Sequence, residues 1–170
     1  MRQLYQAVLR VGTDQFQLLA SEQGLVFVGS PNASIAEAKR YLSDYLAVLN
    51  AQSNELIMAP YLEQLTDYFA GKRKDFDLAV DFEGAGTGLQ QAVWAALRLI
   101  PYGMTCDYTT IAQNIGRPDA IRAVATAIAK NPVLIVTPCH RVLRKDGGLG
   151  GYRGGLAMKK TLLALEKQAH

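Results

Sequence analysis

Residues 138–142 read Pro-Cys-His-Arg-Val and set a thiol, Cys139, beside an imidazole, His140, and a guanidinium, Arg141. The thiolate is the nucleophilic form of cysteine, and a neighbouring histidine or cation lowers the thiol pKa. A lone cysteine is ordinarily a small buried hydrophobe. This one stands between Asn131-Pro132 and a glycine-rich stretch at 147–155, in electropositive rather than apolar surroundings. The pattern points to a reactive thiol. His140 is the candidate base. Adjacent side chains rarely touch along an extended backbone, so a bridging water is expected between sulfur and ring.

The elements that position this run are legible in outline. Alternating apolar and polar residues predict strands at 4–9, 16–20 and 25–28, with Thr13-Asp14 and Glu22-Gln23-Gly24 as turns. Together they predict a small antiparallel meander. Pro31-Asn32-Ala33-Ser34 predicts a helix start, running to about Leu49 with Ile35, Ala38, Leu42, Tyr45, Leu46 and Leu49 on one face. A second helix is predicted over 60–69, and a further strand over 76–82. Glu83-Gly84-Ala85-Gly86-Thr87-Gly88 is the natural boundary, because glycine density makes a flexible link. We place domains at 1–84 and 85–170.

The second domain predicts a helix over 89–100, ended by Pro101-Tyr102-Gly103, and a short helix over 109–115. Gly116-Arg117-Pro118 forms a turn, and a helix runs from an Asp119 N-cap to about Lys130. Helix, glycine-containing turn, helix is a helix-turn-helix pattern. Asn131-Pro132 links it to a strand carrying the nucleophile, and a final helix covers 156–167. The fold class is α/β: a small N-terminal α/β domain with an antiparallel sheet and a mainly helical C-terminal domain with a helix-turn-helix.

Charge divides the same way. The first 85 residues carry seven Lys/Arg against eleven Asp/Glu, a net of −4. The remaining 85 carry eleven against four, a net of +7. The second half is the face suited to a polyanion. No apolar run is long enough to span a bilayer. The first residues show no secretory signal pattern, so a cytoplasmic protein is expected. The two cysteines, Cys106 and Cys139, form neither a disulfide framework nor a zinc spacing. Cys106 reads as structural or as an incidental second thiol.

Over 87–166 the chain resembles the O6-alkylguanine-DNA alkyltransferases, also called methylated-DNA–protein-cysteine methyltransferases. The resemblance rests on Ile100-Pro101-Tyr102-Gly103, Tyr108, Ile111-Ala112, Ile115-Gly116-Arg117-Pro118, Arg122-Ala123-Val124 and Asn131-Pro132. It continues through Pro138-Cys139-His140-Arg141-Val142, Gly151-Tyr152-Arg153-Gly154-Gly155-Leu156, Lys159 and Leu162-Leu163-Ala164-Leu165-Glu166. It implies a ribonuclease-H-like first domain and the stoichiometric transfer of an alkyl group from guanine in DNA to Cys139, with O4-alkylthymine left open. The thioether product is not hydrolysed, and nothing in the sequence is placed to regenerate the thiol.

The resemblance also implies the roles. Glu166 completes a Cys139–His140–Glu166 relay. Tyr152 donates to the departing guanine oxygen, and Lys159 supports the site. The Arg153 amide bonds the same oxygen, while the Cys139 and Val142 carbonyls accept from the guanine amino group. A base must leave the duplex stack to reach a buried thiol. Arg122 is the finger that fills the gap, and Tyr108 presses on the phosphate of the flipped nucleotide. Ala123, Ala125, Ala127 and Ala129 let the helix enter the minor groove closely, or serve helix packing, or both; minor-groove entry tolerates sequence because that groove carries a poor base code. Asn131 braces the turn after the helix, and Asn131 and Arg141 count among the DNA-contacting residues. The implied partner is double-stranded DNA with alkylated bases, bound by a monomer with little sequence preference; cooperativity along DNA is left open. No cofactor, membrane partner or metal is expected. Relatives with a structural zinc hold it in the N-terminal domain, and residues 1–84 here contain neither Cys nor His.

Departures from the family pattern fall on Leu89 (usually Phe), Ala125 (usually Gly), Ile128-Ala129 (commonly Asn-Gly) and Leu134 in the pocket wall. The helix changes bear on DNA affinity and Leu134 on the range of alkyl groups. Competing readings are a non-catalytic lesion-binding protein of the same fold, which in such relatives lacks the cysteine, a Cys-His-Glu hydrolase and a plain helix-turn-helix regulator.

Overall fold

The computed structural model describes residues 2–168. Two compact units, Met1–Ala85 and Gly86–His170, divide the chain. In the first, β1 (Tyr5–Val11), β2 (Asp14–Ser21) and β3 (Gly24–Val28) form the antiparallel meander, and β4 (Gln52–Ser53) pairs parallel to β1. The sheet order is β3-β2-β1-β4. All five residues of β3 are buried, although it is an edge strand. Its free edge is covered by residues 79–81: the Leu25 amide donates to Ala79 O and the Asp81 amide to Leu25 O. That bridge is what stands in place of the strand predicted over 76–82.

The helix predicted over 34–49 is broken. A 3-10 turn spans Ile35–Arg40, and α1 (Tyr45–Leu49) starts afresh. The cause lies between them. Both the Ser43 amide and hydroxyl donate to Gly84 O, and the Asp44 carboxylate caps Ala47 N. The predicted apolar face breaks with the helix, leaving Leu46 and Leu49 exposed. Helix α2 (Glu55–Phe69) starts five residues before its predicted start, because Asn54 caps it through Ile57 N. Pro60 is accommodated inside it without an N–H for the preceding turn. Phe69 stacks on Phe16 of β2 with ring centroids 5.6 Å apart.

The second unit is mainly helical. Helix α3 (Gly88–Leu97) opens on a reciprocal capping box between Thr87 and Gln90 and buries Val93, Trp94 and Leu97. Helix α4 (Tyr108–Asn114) is capped by Asp107. It closes in a Schellman arrangement, with Gly116 N on Gln113 O, Arg117 N on Ala112 O and Gly116 at φ +73. Helix α5 (Ile121–Ala129) follows as the second member of the helix-turn-helix. Its cap position is Ala120, with no side-chain bond; Asp119 sits one residue earlier in the turn, so the expected Asp119 cap is corrected. The Trp94 indole N–H donates to Ala127 O at 2.8 Å and ties α3 to α5. Two-residue strands β5 (Cys106–Asp107) and β6 (Val142–Leu143) pair in parallel, and α6 (Leu156–Gln168) ends the unit. No helix among the described residues is long and apolar enough to cross a membrane.

Candidate active site

The apolar run 133–136 is not the expected strand. Asn131 folds it into a turn. Its Oδ1 accepts from Val133 N at 2.9 Å and its Nδ2 donates to Thr137 O at 2.8 Å, while Thr137 N reaches back to Val133 O. Inside this bracket Val136 N bonds Leu134 O across Ile135, whose φ of 73 is rare for a β-branched residue. A second such three-residue turn, Cys139 N to Thr137 O, then delivers Cys139 into a 3-10 turn over Cys139–Arg141. The nucleophile is thus held by backbone bonds on both sides.

Cys139 is 5% exposed and His140 is fully buried. Burial pushes the Cys139 thiol up; the Asn131 amide and the charges of Arg153 and Lys159 pull against it. The sulfur therefore needs a base to ionise. His140 Nε2 lies 2.7 Å from Glu166 Oε2. A carboxylate only accepts, so Nε2 carries the proton and Nδ1 holds the lone pair. Burial holds the imidazole below its ordinary value, against the pull of Glu166, and keeps it neutral, with the Nδ1 lone pair able to take a proton. Nδ1 is buried and has no hydrogen-bond partner among the described residues.

Glu166 comes from the last turns of α6 and is the hub of the site. Besides His140 it accepts from Arg141 Nε at 2.8 Å, Arg141 Nη2 at 3.1 Å and Gly103 N at 3.3 Å. Arg141 Nη1 donates to Ile100 O at 2.6 Å. Arg141 is 6% exposed. Its expected contact with DNA is therefore corrected: the guanidinium is turned inward to fix the carboxylate. Neither this pair nor the Gly103 amide is legible in sequence, because the partners lie 25 and 63 residues apart.

Tyr152 packs edge-on to His140, with ring centroids 6.4 Å apart. Its hydroxyl is buried without a partner among the described residues, and burial holds its pKa well above the ordinary value. It stays a donor. Tyr108 opens α4 and leans on the glycine-rich loop: a Cβ at Gly150, where φ is +68, would sit 2.7 Å from its hydroxyl. Lys159 is fully buried and donates to the carbonyls of Val142 at 2.7 Å, Leu149, and Gly151 at 3.3 Å. Its three donors are engaged with backbone, so it holds the loop rather than touching a substrate. It occupies one lone pair of the Val142 carbonyl, and Val142 N occupies one of Cys139 O. Each carbonyl keeps a second.

On α5, Arg122, Ala123 and Ala129 are exposed and Ala125 is half-buried. Ala127 is fully buried in the helix packing, which corrects its place on a DNA-facing stripe. Asn131 is 1% exposed and braces the turn as expected, but its buried side chain is no DNA contact. Among the described residues no group of three or more His, Cys, Asp or Glu could hold a metal ion.

Two family models match: "6-O-methylguanine DNA methyltransferase, ribonuclease-like domain" over 4–82, and "6-O-methylguanine DNA methyltransferase, DNA binding domain" over 88–168. An inducible methylated-DNA–protein-cysteine methyltransferase of Bacillus subtilis is 45% identical over 98% of this chain and 92% of its own. A methylated-DNA–protein-cysteine methyltransferase of Methanosarcina acetivorans is 40% identical over 96% and 98%. Among solved structures, Mycobacterium tuberculosis OGT in complex with DNA superposes with a TM-score of 0.80 at 34% identity, covering 97% of this chain and 94% of that one.

Proposed function

The chain belongs to the 6-O-methylguanine DNA methyltransferase family, and on that premise we propose that it repairs DNA by taking the alkyl group from the oxygen-6 of guanine onto Cys139, one group per molecule. The observation that carries the reading is the buried Cys139-His140 pair with Glu166 on His140 Nε2 and a bare Nδ1. The thiol proton passes through a water to Nδ1. The sulfur electron pair forms the S–C bond as the C–O6 bond breaks. The released pair stays on the guanine, where the Tyr152 hydroxyl donates to it. Glu166 stabilises the imidazolium. The thioether that results is inert to water, so the protein is consumed.

DNA is the partner. For the finer contacts we propose minor-groove entry of α5, with Ala123, Ala125 and Ala129 allowing close approach and Arg122 replacing the extruded base. Tyr108 meets the phosphate of the flipped nucleotide, and the Cys139 and Val142 carbonyls and the Arg153 amide read the guanine edge. The exposure of Arg122 and Ala123 supports this. We place a monomeric protein in the cytoplasm, where a reducing pool keeps the thiol free.

The test is intact-protein mass spectrometry after incubation with duplex DNA carrying one O6-methylguanine. The expected result is a gain of one methyl, on Cys139, saturating at one per molecule, with none on Cys139→Ser. No gain with lesion binding intact overturns the reading in favour of a lesion-binding protein, and continuous product release points to a hydrolase.

A further inference from the structure

The glycine-rich loop must hold Tyr152 against His140 although Gly147, Gly150 and Gly155 all have positive φ and the loop has little secondary structure of its own. Two cations anchor it. Lys159 gathers the Leu149 and Gly151 carbonyls from the α6 side. Arg153 reaches the opposite way: its Nε and Nη2 converge on the Asn131 carbonyl at 3.2 and 2.9 Å. Asn131 is the residue whose side chain brackets the turn leading to Cys139. One residue therefore receives the loop through its carbonyl and shapes the nucleophile's turn through its amide.

We propose that the Arg153 side chain is a positioning residue for alkyl transfer, clamping the loop that carries Tyr152 to the turn that carries Cys139. Leaving-group donor and nucleophile then keep a fixed register across the substrate base. The role is separate from that of the Arg153 backbone amide. A guanidinium suits it because its planar fork places two donors on one carbonyl and fixes direction; an ammonium offers only a point contact. The charge has a second effect, since Arg153 is among the groups that draw the Cys139 thiol down against its burial. The inference rests on Cys139 being the alkyl acceptor.

The experiment measures single-turnover transfer to the wild type, Arg153→Ala and Arg153→Lys, from methylated duplex DNA and from a free alkylated guanine base, across a pH series. A wild type that gains no alkyl group would overturn the parent reading, and that arm is run first. With the wild type active, Arg153→Ala is expected to lose about 10²-fold on both substrates, the scale of an ångström-sized misplacement of reacting groups. Its rate profile should move to higher pH, with duplex affinity unchanged. Arg153→Lys should restore the profile, by keeping the charge, but only part of the rate. It also serves as the variant to rely on should Arg153→Ala fold poorly. A loss confined to the duplex, with the salt dependence of binding reduced by a slope of about 0.9, would make Arg153 a phosphate contact and overturn the clamp. Unchanged rates in both variants would overturn it too.

Discussion

At the scale of single residues, the site depends on buried charges that satisfy one another. Glu166 is 1% exposed and meets both Arg141 and His140. Removing one partner of a buried ion pair leaves an uncompensated charge and costs about 3–5 kcal/mol. Arg141→Ala should therefore lower the unfolding free energy by that order and slow transfer equally from duplex and free base; denaturant titration and single-turnover rates check it. An effect on duplex alone would restore the DNA-contact role. His140 gives a pH prediction. Its folded pKa lies below the ordinary 6.5 because it is buried. As pH falls through 6.5, the unfolded chain binds a proton that the folded ring refuses, so stability falls until the folded pKa is reached. Melting temperature should decline over that window, and His140→Gln should flatten that part of the decline.

At the scale of elements, the link to test is the one between α3 and α5. Trp94 gives its indole proton to Ala127 O near the end of α5, the helix proposed to meet DNA. Trp94→Phe should cost about 1 kcal/mol for the bond, plus a packing loss. It should weaken duplex binding more than it slows transfer from a free base, because the free base does not engage α5. Equal losses would show that α5 is held without Trp94. These helices were legible because a 3.6-residue apolar period needs only local sequence. What escaped was set by distant partners. The break at Ser43 follows from Gly84, 41 residues on. The run at 133–136 has a strand's composition but folds as a turn because Asn131 takes its amide and the Thr137 carbonyl. Strands β4, β5 and β6 are two residues each, too short for any alternation to show. Cys139 and His140 were readable from their motif and Glu166 only through the family resemblance, whereas Arg141 was misplaced. A cation beside a nucleophile in a basic domain looks like a DNA contact until its carboxylate partner, 25 residues away, is seen.

At the scale of the whole molecule, charge is divided unevenly between the two halves of the chain. The +7 of residues 86–170 is not all available to DNA. Lys159 is buried against carbonyls, Arg141 is engaged with Glu166, and Arg144 pairs with Asp146 at 3.3 Å. Arg117, Arg122 and Lys130 are exposed on and around the helix-turn-helix. Each phosphate neutralised releases counterions, so the logarithm of duplex affinity should fall linearly with the logarithm of salt, with a slope of about −0.9 per contact. Arg117→Ala should reduce that slope by about 0.9 and leave transfer from a free base unchanged. Arg122→Ala should behave differently. A residue that fills the gap left by an extruded base acts on the stack, so its loss should slow repair of duplex strongly while the salt slope changes little. Measuring both variants on both substrates over a salt series separates attraction to the backbone from extrusion of the base. A flat salt response in the wild type would reduce the charge asymmetry to ordinary solvated surface, and a large slope change in Arg122→Ala would move that residue from the stack to the phosphates.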